Sequence, residues 1–453
     1  MPEAGLHNRC LATKEQDPCH LFQVKYRRKM RRDLEGVIGT SGSFLDRSRA
    51  KVRFALAVVT VALVLGGIAP AAAQPTDRDR LQRTAEYLLA AQLPSGLFVY
   101  DFDFVADRSV EPDNIVRQAG VAYILAEYYR YSPDPRVRRA IEATLRRLGD
   151  LSLPIGKSRL QSALEQTGLL SVPIGRYKLR AALERFGLLY RPSGEGKVIS
   201  LDGKYAFALT GAGAVALLAE MQYYQATSDN RFGSLRSAWL EGLLNLRIPR
   251  RGFRISPGFI DDTPFFDGEG WLALAYYHGV FPRDERVRSA LENLEAYLMT
   301  RYAADVTTGF YQWGTMAAAL RLEQTSDLKF LGFIRAQAQT LLEAPRRDEW
   351  RGDSSCAHME GLAVAARVLR AQPDLDRLLL EKVVARLDEE MAKNRTLQIP
   401  PNEGRMAFGK DVQLISPKLR DFAGAFLVSR FRPYTRVDET AHCLSAMTKL
   451  ARS

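Results

Sequence analysis

The chain has 453 residues, 46% apolar and 9% aromatic, with a formal net charge of +12. That apolar content excludes wholesale disorder and is enough for a large core. The charge argues little for nucleic acid. Residues 1–73 carry 12 Lys/Arg against 6 Asp/Glu and so hold half of the excess, leaving a mild bias that suits an anionic polymer or an envelope surface.

Residues 1–50 are polar and basic and read as a non-native or disordered extension, with the true start placed at Val52 as an alternative initiator. Residues 51–73 have the parts of a signal peptide: basic residues, an apolar run from Phe54, a Gly66-Gly67-x-x-Pro70 break and Ala71-Ala72-Ala73. The expected location is therefore periplasmic or secreted. The alternative is an inner-membrane anchor over 54–73, because the run approaches the roughly 20 apolar residues that a span needs. After cleavage only Cys356 and Cys443 remain, which in an oxidising compartment suggests a disulfide first.

From Thr76 the apolar spacing predicts helices of two kinds. Segments 80–92, 137–151, 234–247, 287–302, 329–344 and 378–394 are amphipathic. Between them lie 117–129, 209–224, 267–278, 311–323, 358–370 and 440–451, Ala- and Leu-rich and nearly uncharged, as buried helices are. Each buried segment opens on a polar or aromatic residue followed by a small one, at 120, 213, 270, 314, 361 or 443, expected to let backbones pack around a narrow axis. Gly-Phe or Gly-x-Phe loops recur upstream, at Gly96-Leu-Phe98, Gly252-Phe253, Gly309-Phe310 and Gly424-Ala-Phe426. Six buried helices alternating with six half-exposed ones predict an all-α fold, an (α/α)6 toroid over residues 77–451; a two-layer solenoid would need the same pattern, and the count of six favours closure. A helical insertion is expected at 152–205, where "LPIGKSRLQSALEQTGLLS" and "VPIGRYKLRAALERFGLLY" repeat at an offset of 19 with ten identities. The second copy is basic, through Arg176, Lys178, Arg180, Arg185 and Arg191, and reads as a packing insertion or a lid meeting an anionic ligand.

In such a ring the six inner N-termini meet at one end, where free N–H groups and aligned dipoles favour negative charge. The stretch "DDTPFFDGEGWLALAYYH" at 261–278 then reads as an acid-rich cleft loop entering a buried helix. Matching positions bring Glu269 and Glu360 to that end as the first candidates for a catalytic carboxyl pair, with Asp262 as an alternative member. Asp103 and Asp261 are further alternatives. Tyr100, Phe266 and Trp313 suit stacking on sugar faces, while Asp101, Asp103, Arg117, Gln118, Asp261, Gln312, Arg436 and Asp438 suit hydroxyls and charges. Asp267 and Asp438 also read as simple helix caps.

His442 is a candidate base for a lyase or epimerase, oriented by Asp438 four residues earlier, with Arg436 or Arg117 to neutralise a sugar carboxylate. No cofactor is expected. The alternative is zinc on Cys356, His358, His442 and Cys443, although their spacing suits a disulfide better.

On "RQAG", "DGEG", "HMEG" and "AAQLPSGLF", residues 77–451 resemble the six-hairpin glycosidase-like and terpenoid-cyclase-like toroids. The resemblance implies glycan chemistry by architecture alone: a glycoside hydrolase, or a polysaccharide lyase or epimerase, acting on an oligo- or polysaccharide, with anionic glycans included. The chain is also similar to lanthionine cyclase-like toroids, which implies a zinc enzyme, but the His442-Cys443 pair is reversed and the Cys-His-Gly motif is missing. The squalene cyclase Asp-x-Asp-Asp motif is absent too. A non-catalytic envelope protein that binds a glycan or a partner is the alternative of another class.

Overall fold

The computed structural model describes residues 76–157, 190–259, 261–303, 306, 308–344, 352–401, 403–408 and 412–452. The extension, the signal segment and most of the duplication lie outside them. Twelve α-helices occur among these residues. The inner set is α2 (Ile115–Tyr131), α4 (Thr210–Thr227), α6 (Pro264–Val280), α8 (Thr308–Thr325), α10 (Cys356–Arg370) and α12 (Val437–Ala451). The outer set is α1 (Asp77–Ala90), α3 (Pro135–Asp150), α5 (Gly233–Asn245), α7 (Glu285–Arg301), α9 (Leu328–Glu343) and α11 (Pro373–Arg395). Each inner helix packs on the next, and α12 packs on α2, so the ring closes as an (α/α)6 toroid.

Local chemistry separates the two sets. Three outer helices start on an aspartate cap, Asp134, Asp284 and Asp327, whose carboxylate accepts from the N–H two residues on. The inner helices have almost no polar face; in α4 every residue from Thr210 to Tyr223 is buried. The axis of the ring is thus built from helices that cannot be stable on the surface.

Three of the four recurring Gly-Phe segments have a common structural role, while Gly309-Phe310 lies in the first turn of α8. Gln118 accepts from the Phe98 N–H (2.8 Å), Asp267 from the Phe253 N–H (2.7 Å) and Thr440 from the Phe426 N–H (3.0 Å). The polar residue opening an inner helix therefore holds the backbone of a Gly-Phe loop. Three of the small residues make room for aromatic rings, one on a Gly-Phe loop and two on α8, rather than for backbone packing at the axis. Added methyl groups at Gly270, Gly314 and Gly361 would strike the rings of Phe253, Phe310 and Tyr311, whereas Gly120 and Gly213 face open space. At 443 the residue is a cysteine bonded to Cys356, with 4.7 Å between the Cα atoms.

Asp267 makes this role testable. It is fully buried, and its other oxygen accepts from the Tyr302 hydroxyl at 2.8 Å. Asp267→Ala is expected to cost about 2–4 kcal/mol, because a buried N–H and a buried hydroxyl both lose their acceptor. Chemical denaturation would measure it; a loss below half a kcal/mol would contradict the structural role.

Short strands finish the ring. β1 (Asp101–Asp103) pairs antiparallel with β6 (Tyr434–Arg436), Asp101 opposite Arg436, tying the loop before α2 to the start of α12. The expected helical insertion begins and ends instead in strands: β2 (Ser152–Lys157) and β3 (Tyr190–Ile199) pair antiparallel, and residues 158–189 lie outside the described set. A third pair, β4 (Arg405–Ala407) and β5 (Gln413–Ile415), lies between α11 and α12.

Candidate active site

Glu269 on α6, Glu360 on α10 and His442 on α12 converge near the N-terminal ends of the inner helices. Glu269 is 4% exposed and Glu360 1%. His442 Nδ1 lies 3.3 Å from Glu360 Oε2. Burial pushes the Glu360 carboxyl up, but the His442 charge outweighs this and holds it below the usual range. Burial pushes the imidazole down; Glu360, then Glu439 and Asp438, reverse this and raise it to about 9. Glu269 has no such partner. Burial pushes it up to about 8, opposed only by the field of His442.

At neutral pH the three groups are therefore a neutral acid, a carboxylate and an imidazolium. Glu269 Oε2 and Glu360 Oε1 are both buried without a hydrogen-bond partner among the described residues. A pair of carboxyls pushed to opposite protonation states, each with an open oxygen, can give a proton on one side and accept one or stabilise a cation on the other.

Aromatic residues flank the group. The Trp313 ring lies 6.3 Å from that of His442, edge-on, and 6.0 Å from Tyr123. Phe266 and Glu269 Oε2 both lie against Gly211 on the first turn of α4, where a Cβ would collide with the carboxylate.

At the start of α12, against the loop before α2 and its first turn, is a cluster of ion pairs. Arg436 holds Asp438 (2.6 Å) and Glu439 (3.0 Å), and Arg117 holds Asp438 (3.2 Å) and Glu111 (3.3 Å). Arg117 also donates to the Tyr100 hydroxyl, whose pKa burial raises to about 12. Asp438 does not orient His442, as its spacing had suggested. Its carboxylate is held by the two arginines, and the imidazole takes Glu360 from the neighbouring helix.

Other expected site residues have structural partners. Asp262 is bound to Arg251 (3.0 Å) and to the Tyr297 hydroxyl (3.1 Å) on the outer helix α7, which separates it from the convergent group. Asp101 accepts from Ser109 and from the N–H groups of Val110 and Glu111, and Asp103 from those of Val105 and Ala106, so both shape the loop. Gln118 also bonds the Phe98 carbonyl and Asp113. Asp261 is half-buried, its carbonyl accepting from the Ile255 N–H. Gln312 is buried on α8.

The zinc set is not assembled. Cys356 and Cys443 are joined to each other, and His358 lines a separate cavity with Arg386, Glu390 and Lys393 of α11. Burial holds His358 down to about 4, in its neutral form. Among the described residues no three His, Cys, Asp or Glu side chains are grouped to hold a metal ion.

Glu111, Tyr123 and Glu439 were missed in the sequence. Glu439 stands three residues before His442, one helical turn away, and that spacing would have found it; burial raises its pKa. Nothing local marks Glu111 or Tyr123.

No family model and no curated protein matches the sequence. Solved structures do match in fold. The GH76A alpha-1,6-mannanase from Salegentibacter sp. HEL1_6 superposes with a TM-score of 0.53 at 12% identity, over 83% of this chain and 99% of that one. The GH76 alpha-mannanase BT2949 of Bacteroides thetaiotaomicron gives 0.52 at 9%, over 83% and 97%. A sugar epimerase from a ruminal bacterium gives 0.51 at 11%, over 82% and 97%. The chain thus has the toroid fold expected from its repeats.

Proposed function

We propose that the protein is a carbohydrate-active enzyme that hydrolyses a glycosidic bond in an oligo- or polysaccharide. Glu269 is the general acid, Glu360 the base or nucleophile, and His442 the group that keeps Glu360 ionised. The observation that carries this is a pair of buried carboxyls of which one is bound to an imidazole and the other has no charged partner, an arrangement that pushes their pKa values apart. Trp313 and Phe266 are the stacking surfaces, and Arg117 and Arg436 fix the start of α12 through Asp438. The fold likeness to mannanases is consistent with glycan chemistry and adds weight only as analogy.

The lyase or epimerase reading has less support. A base held as imidazolium up to about pH 9 abstracts protons poorly at neutral pH, and both arginines are already paired with carboxylates. We also propose export: residues 51–73 have the form of a signal peptide, and a disulfide suits an oxidising compartment. No helix among the described residues is long and apolar enough to cross a membrane.

The test is mass spectrometry of products after incubating the protein with neutral and acidic polysaccharides, α-1,6-mannan among them. Products heavier by one water per cut are expected. Unsaturated products would move the assignment to a lyase, and retention of a glycan without any cleavage would leave a binding protein.

A further inference from the structure

The ring has a concavity toward the C-terminal ends of the inner helices. It encloses about 370 Å³, at the small end of the range for ligand pockets. Its walls include Leu272, Met316, Leu320 and Val364, from three successive inner helices. Its rim is basic: Arg130, Arg367, Lys449 and Arg452, against Glu127 and Glu323.

The cations fall into two pairs. Lys449 is neutralised by Glu127 at 2.7 Å, and Arg367 by Glu323 at 2.7 Å. Arg130 and Arg452 have only neutral partners among the described residues. Arg130 donates to Gln222 Oε1 (2.7 Å) and the Tyr276 hydroxyl (2.8 Å), and Arg452 to the Glu127 carbonyl (3.0 Å). Arg130 touches Tyr276, and the charges of Arg452 and of the Glu127 carboxylate act on the same residue, so all three face one part of the rim. Helix C-termini attract cations, which accounts for an arginine on a terminal carbonyl. It does not account for Arg130, which is held by side chains of α4 and α6, nor for an apolar chamber beneath.

We propose that this concavity binds a compact amphipathic carboxylate, with its apolar body among Leu272, Met316, Leu320 and Val364 and its head between Arg130 and Arg452. Two guanidiniums without carboxylate partners supply charge-assisted bonds to the head, and the chamber takes the body out of water. The site has Tyr123 in common with the surroundings of the candidate active site but none of the three convergent residues, so its test is separate from that of the proposed hydrolysis.

Calorimetric titration with octanoate, octan-1-ol and octyltrimethylammonium tests it on the full chain. Octanoate should saturate one site, with the alcohol and the cation at least about ten-fold weaker. The double variant R130Q/R452Q, at two exposed positions, should bring octanoate to the level of the alcohol. Leu320→Trp, which fills the chamber from a half-buried position, should abolish octanoate binding while the unfolding midpoint stays near that of the parent. Equal binding of alcohol and carboxylate, full binding by the double variant, or no saturable heat at millimolar octanoate would each overturn the proposal.

Discussion

Glu269→Gln is expected to lower kcat by roughly 10²- to 10⁴-fold, the usual contribution of a general acid, while leaving glycan binding in place. The same substitution should raise stability in alkaline buffer, and this second effect can be read without knowing the substrate. Burial lifts the Glu269 carboxyl from 4.5 to about 8, so between those values the folded protein holds a proton that the unfolded chain has released. Stability therefore falls as pH rises through that window, by at most about 1.4 kcal/mol per unit. Glutamine has the shape of the neutral acid and cannot ionise, so the variant escapes this loss. Urea denaturation of both proteins at pH 5 and pH 8 should show the variant gaining relative to the parent at the higher pH. A gap independent of pH would mean that Glu269 titrates normally and is not held neutral in the fold.

Removing the disulfide should produce the largest loss of stability. Cys356 and Cys443 are 87 residues apart, and opening a loop of that length costs about 4 kcal/mol if the effect is mainly on the unfolded chain. The bond also has a local consequence. Cys356 lies one turn before Glu360 on α10, and Cys443 follows His442 on α12. The crosslink thus fixes the two helix starts that carry the ion pair. The double variant C356S/C443S is expected to unfold at a markedly lower denaturant concentration. The His442 pKa should also shift back toward 6.5, followed by NMR titration of the imidazole. Unchanged values of both would separate the crosslink from the site.

The ring itself was legible because its two helix types differ in composition along their whole length. The apolar segment at 209–224 has no polar face to hide, and the one at 378–394 plainly has two faces. Strands β2 and β3 were not legible. The segment 152–205 was read as a helical insertion on its duplication, and the antiparallel pairing of Ser152 with Ile199 joins residues far apart in sequence. The candidate site was legible in part for the same reason. Position within the repeat brought out Glu269 and Glu360, because equivalent turns of a ring face one point. Partner choice was not readable from it. Spacing of four residues suggested Asp438 for His442, but Arg436 and Arg117 claim that carboxylate, and the imidazole is left to Glu360, 82 residues earlier in sequence. Asp262 shows the converse, an acid in the right loop drawn outward by Arg251 and Tyr297.

Closure of the ring by α12 against α2 has a consequence for how the chain acquires its structure. Five inner helices can form and pair with their neighbours as the chain emerges, yet the outermost two keep a buried-type face exposed until residues 437–451 arrive between them. The pairing of Asp101 with Arg436 belongs to the same last step. A chain truncated before α12 would present two unpaired apolar helix faces to its neighbours, the condition under which incomplete repeat arrays aggregate. Completion of this fold should therefore wait for the docking of α12 between α2 and α10.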